Sequence, residues 1–70
     1  FEVCLPEGTA KATGDILVKV DGHNAIVVMC SPPSVLTPYE RLALSCARVL
    51  NSSYAVALDL ENSVVMRAKS

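Results

Sequence analysis

The chain has 70 residues and a mass of 7.4 kDa, enough for one small domain and no second core. Six Lys and Arg against seven Asp and Glu leave a net charge of −1, which excludes a histone-like basic binder, an acidic tail and a disordered polyelectrolyte. An apolar fraction of 51% and a mean hydropathy of +0.41 are high for so short a chain and predict a packed core.

Residues 1–13 carry the weakest pattern. Phe1-Glu2-Val3-Cys4-Leu5 alternates and reads as an edge strand or loop, broken by Pro6-Glu7-Gly8. Ile16-Leu17-Val18-Lys19-Val20 predicts a strand with Ile16, Val18 and Val20 on one face. Asp21-Gly22-His23-Asn24 predicts a hairpin turn with a solvated His23, because glycine accepts positive φ. Ala25 to Cys30 is apolar at every position and predicts a central strand covered on both faces.

Ser31-Pro32-Pro33-Ser34 stops that strand, since proline has no N–H for a ladder. A helix over 38–50 follows. Thr37 is its expected N-cap, Pro38 its first residue, and Glu40 completes a T-x-x-E capping box. Tyr39, Leu42, Cys46, Val49 and Leu50 form an apolar stripe, with Arg41, Ser45 and Arg48 opposite. Asn51-Ser52-Ser53 ends the helix. Tyr54 to Leu60 predicts a third strand, Glu61-Asn62 a tight turn, and Ser63 to Arg67 a final strand.

The order is (β)ββαββ, an α/β domain with a small mixed sheet and one helix on one face. Residues 1–70 form a single domain, with its core in 14–60 and a terminal strand in 61–70. The strands at 25–30 and 54–60 are expected to be parallel neighbours joined by a right-handed helical crossover, flanked by antiparallel hairpins. The expected core is Ile16, Val18, Ile26, Val27, Val28, Leu42, Cys46, Val49, Val56 and Leu58. On this reading Val28→Asp prevents folding. Strands apolar on both faces with only one helix leave one sheet face without a cover. A second copy, a larger parent complex or an additional N-terminal helix is expected to supply it.

Three cysteines, Cys4, Cys30 and Cys46, at wide spacings fit a reducing compartment and a cytoplasmic location, with Cys30 and Cys46 expected to be buried. His23 is the only histidine, and no ligand pair has zinc spacing. No apolar run approaches membrane-helix length, and no secretory leader is visible. A chain opening on Phe1 is expected to be trimmed, processed or excerpted.

One constellation carries a resemblance. Gly14-Asp15 opens the first strong strand. About fourteen residues later, across a hairpin, Met29-Cys30-Ser31 ends the next strand before Pro32-Pro33. A helix and another strand follow. This layout resembles the PD-(D/E)XK restriction-endonuclease-like superfamily, and more narrowly the N-terminal nuclease domain of type I restriction enzyme R subunits. The resemblance covers residues 14–60. It implies that Asp15 corresponds to the first metal ligand and catalytic carboxylate. Met29 then stands in place of the second carboxylate and Ser31 in place of the lysine. Leu42 and Cys46 stand in place of the helical glutamine and tyrosine. A thioether is a poor ligand for Mg²⁺, and Ser31 brings no positive charge to the phosphoryl group. The resemblance therefore implies a catalytically degenerate nuclease domain that serves as a scaffold or assembly module, with no cofactor and with Mg²⁺ only if a site survives at Asp15.

Other readings stand beside it. One is a nucleic-acid-binding module contacting DNA through Lys11, Lys19, Arg41 and Arg48. Another is an active Mg²⁺-dependent endonuclease whose missing carboxylate is replaced by Glu7 or Asp21. A last one is a small regulatory or ligand-binding α/β domain unrelated to nucleases.

Overall fold

The computed structural model describes residues 1–5 and 11–69, so the Pro6-Glu7-Gly8 break lies outside the described residues. The strands are β1 (Glu2–Cys4), β2 (Lys11–Thr13), β3 (Ile16–Val20), β4 (His23–Cys30), β5 (Tyr54–Leu58) and β6 (Ser63–Arg67). The helix is α1 (Leu36–Val49). The main sheet has four strands in the order β3-β4-β5-β6, with β4 and β5 parallel and both outer pairs antiparallel. The predicted βαβ unit and flanking hairpins are present. β2, unforeseen in the sequence, pairs with β1 in a separate two-stranded sheet.

The β3–β4 turn is two residues long. Asp21 (φ 51°) and Gly22 (φ 78°) both take positive φ, as a tight hairpin matching strand twist requires. The predicted four-residue turn is therefore shorter, and His23 and Asn24 belong to β4. β5 ends at Leu58, two residues early, because Asp59 turns the chain. Its Oδ1 accepts from Glu61 N (2.8 Å) and Asn62 N (2.7 Å).

The helix starts earlier than its capping signal. Val35 is the N-cap, with no side-chain cap bond, so Thr37 and Glu40 form no capping box. Leu36 packs against the core, which favours starting the helix two residues earlier over a threonine cap. Pro38 remains in the first turn, where a missing N–H costs no helical bond. At the other end Asn51 takes the left-handed conformation (φ 57°). Asn51 N donates to Arg48 O (3.2 Å) and Ser52 N to Ala47 O (2.8 Å), forming a Schellman closure. Asn24 Nδ2 donates to Leu50 O (2.7 Å) and ties this cap to β4. Buried Ser52 donates its Oγ to Tyr54 O (3.0 Å).

The core lies between α1 and one sheet face. It contains Val27, Met29, Ala55 and Ala57 from the sheet and Ala43, Cys46 and Ala47 from the helix. Val3 and Ala12 of the small sheet join it. The backbones of Phe1 and Gly14 exchange hydrogen bonds at 2.8 and 2.9 Å. The Phe1 ring lies so close to Gly14 that a Cβ there would clash with it.

Most of the expected core belongs elsewhere. Cross-strand register places Ile16, Val28, Val56 and Val65 in one row on the other sheet face. Val18, Ile26, Tyr54 and Arg67 form the row beside it. Of the expected core, Val27 and Cys46 are fully buried and Leu42 is half-buried against it. Ile16 is 52% exposed and Val49 41%, while Val18, Ile26, Val28, Val56 and Leu58 are half-buried on the uncovered face. Cys30 is exposed rather than buried, because it alternates onto that same face. The chain exposes 4671 Å², against roughly 4,200 Å² expected for a compact monomer of its mass.

Candidate functional site

Asp15 lies where β3 begins, beside the end of β4. Its N donates to Val28 O (3.3 Å), and its Oδ2 accepts from Cys30 N (2.9 Å). Continuing the β3–β4 register by one step sets Asp15 opposite Met29. The fold thus brings together the strand ends that hold Asp15, Met29 and Ser31. Their side chains do not make a metal centre. Met29 is 1% exposed and packed beneath the helix. Ser31 is half-buried, donates its N to Leu58 O (2.7 Å) and turns its Oγ onto Pro32 O (2.6 Å). Leu42 and Cys46 face the core.

A hard divalent cation needs several oxygen ligands. Among the described residues, no three His, Cys, Asp or Glu side chains gather as such a site requires. Asp15 instead acts as a structural acceptor that fastens β3 to the end of β4. Glu7 lies outside the described residues. Asp21 occupies the turn at the far end of β3, roughly 20 Å away by strand rise, so it cannot replace a carboxylate beside Asp15.

The charges divide between the two ends of the sheet. Helix α1 runs back against β4 and β5, and Asn24–Leu50 marks where its C-terminus meets the start of β4. At this end lie Lys19, Arg48, Arg67 and Lys69, all exposed, together with His23 and one exposed carboxylate, Asp21 of the turn. A shallow pocket lined by His23, Asn24, Asn51 and Lys69 sits here, beside another lined by Tyr54, Arg67 and Lys69. At the opposite end lie Asp15, Asp59 and Glu61, with Glu40 in the second helical turn. Asp59 and Glu61 line a pocket of about 350 Å³ with Leu36 and Thr37 of the helix start. Cations near a helix C-terminus and anions near its N-terminus suit the macrodipole, so part of this polarity is structural.

Of the four nucleic-acid candidates, Lys19 and Arg48 share the basic end. Arg41 is exposed on the helix at mid-length, and Lys11 is exposed on the small sheet. They form no single patch. Arg67 and Lys69 were missing from the candidates. Their two-residue spacing was the available signal, since it puts both on one side of an extended segment.

Burial pushes the Cys46 thiol above its ordinary range, which marks it as a core group. Cys4 and Cys30 are exposed free thiols. Among the described residues, no helix is long and apolar enough to cross a membrane. No family model matches the chain, and no curated protein or solved structure matches it either.

Proposed function

We propose that this chain is a non-catalytic scaffold or assembly domain built on a nuclease-like layout. The observation that carries the reading is the uncovered sheet face, where Ile16, Val28, Val56 and Val65 line up across all four strands. Val65 is 68% exposed and Tyr54 42%, an apolar surface that water solvates poorly and a partner surface would cover. The nuclease-like part rests on element order and on Asp15 lying beside the end of β4. The non-catalytic part rests on Met29 being packed in the core and on Asp15 having no acidic neighbour gathered with it among the described residues.

The test is a cleavage assay on linear and supercoiled DNA with Mg²⁺ or Mn²⁺. No cleavage is expected. Metal-dependent cleavage that Asp15→Ala abolishes would overturn the reading.

A second reading, a DNA-contacting module, is favoured by Lys19, Arg48, Arg67 and Lys69 sharing one end of the sheet. Phosphate contacts release counterions, so such binding weakens steeply with salt. Fluorescence anisotropy at low salt and again at about 0.2 M separates the two readings. Salt-sensitive binding reduced by Arg48→Ala favours the DNA module, and no binding at low salt leaves assembly.

A further inference from the structure

The two edges of the main sheet are built differently. β3 is defended: a register shift falls between Val18 and Lys19, and Lys19 stands exposed on it. Bulges and edge lysines are the usual devices against strand addition. β6 has no register shift and no lysine, and its one charged residue, Arg67, stands at its end. Ser63 to Arg67 pairs with β5 in unbroken register, and its central Val65 is 68% exposed.

The unpaired groups of β6 can be identified. Asp59 N donates to Asn62 O and Ala68 N to Ser53 O, each at 2.9 Å, at the two ends of the β5–β6 ladder. Antiparallel hydrogen bonding alternates by residue. The even positions of β6 therefore bond to β5. Ser63, Val65 and Arg67 direct their N–H and C=O groups outward.

We propose that β6 pairs antiparallel with β6 of a second copy, centred on Val65. Val65 then faces Val65 of the other copy, and Ser63 faces Arg67, with outward groups meeting outward groups. Beyond the paired residues, exposed Glu61 in the β5–β6 turn of one copy comes to the same end of the pairing as exposed Lys69 of the other, twice by symmetry. No like charges oppose each other across this pairing. The antiparallel arrangement also lays the acidic end of one copy, with Asp59 and Glu61, beside the basic end of the other, with Arg67 and Lys69. The contact is isologous and closes as a dimer. A single strand pair buries less than the roughly 800 Å² per partner of a standard interface, so the dimer is weak. This inference rests on the assembly reading but uses the sheet edge rather than the uncovered face.

The experiment is sedimentation equilibrium of the full chain at low salt, from about 10 µM to about 1 mM, the range a weak contact occupies. A monomer–dimer equilibrium is expected. Val65→Pro deletes an outward N–H but no β5 bond, so it is expected to abolish the dimer while the chain stays folded by circular dichroism. Lys69→Glu brings like charges to the same end of the pairing twice and is expected to weaken dimerisation about tenfold. The swap Glu61→Lys with Lys69→Glu is expected to restore it, and this arm holds even if the proline variant does not fold. A chain that stays monomeric throughout, or a swap that fails to rescue, overturns the proposal. A dimer that survives Val65→Pro but is lost in Val28→Asp overturns edge pairing in favour of stacked faces and leaves the assembly reading standing. Metal-dependent cleavage in the separate nuclease assay would instead overturn that assembly reading.

Discussion

The two faces of the main sheet invert the usual distribution of side-chain size. Among the described residues the core on the helix side holds nine buried hydrophobic residues, yet five of them are alanines: Ala12, Ala43, Ala47, Ala55 and Ala57. The other face carries Ile16, Val18, Ile26, Val28, Tyr54, Val56 and Val65, and has no cover among the described residues. Small residues let the helix approach the sheet closely, but each contributes little transfer free energy, about 0.8 kcal/mol per buried CH₂. More of the main sheet's large apolar side chains thus lie on the open face than under the helix. On the proposed reading, stability resides on one face and the capacity to associate on the other.

The sharpest way to break this comparison uses two adjacent residues. Val27→Asp puts an unpaired charge under the helix, where the side chain is 0% exposed, and is expected to abolish cooperative folding. Val28→Asp sits on the uncovered face and is expected to leave a melting transition, lowered by about 1–2 kcal/mol. The sequence alone placed the folding failure at Val28. Register moves it to Val27.

Overpacking comes next. Ala57→Leu is expected to cost about 3 kcal/mol in urea unfolding, because the helix leaves no space for it. Val56→Leu, one residue away on the open face, is expected to change stability by less than about 1 kcal/mol. A smaller effect is predicted where the helix end is tied to the sheet. Asn24→Ala leaves Leu50 O without its side-chain donor and is expected to cost about 1 kcal/mol.

The smallest effects concern the thiols. Cys4 and Cys30 are expected to react with a disulfide reagent in the native state, and Cys46 only on unfolding. Because burial raises the Cys46 pKa, the folded chain holds that proton more tightly than the unfolded chain. The resulting stability is complete below the unfolded thiol pKa and is lost as pH rises through the folded one. Cys46→Ser is expected to remove that alkaline slope, read by chemical unfolding at stepped pH.

The topology was legible because its signals are local. Asp21-Gly22 marks one hairpin, Pro32-Pro33 separates strand from helix, and Glu61-Asn62 marks the second hairpin. The choice of core face was not legible from β4, where every residue from Ala25 to Cys30 is apolar and the two-residue period carries no contrast. β5 held the missing signal: Ala55 and Ala57 alternate with Tyr54, Val56 and Leu58, so size rather than polarity told the faces apart. The capping box failed because Leu36 gains more from packing than Thr37 does from a cap. β2 was hidden because Lys11-Ala12-Thr13 is too short to show a period, and its pairing depends on the Phe1–Gly14 approach. The candidate site was legible only as an adjacency. Spacing placed Asp15 beside the end of β4, but only the packing of Met29 revealed that the opposite position points into the core.

The most direct test is solvent paramagnetic relaxation of the methyl groups, read by NMR on a dilute sample. The methyls of Val28, Val56 and Val65 are expected to broaden strongly on adding a soluble paramagnetic agent, while those of Val27, Ala55 and Ala57 stay sharp. Protection of Val28 and Val56 equal to that of Val27 would mean that the chain covers both faces by itself, and the division between a stable face and an associating face would be wrong.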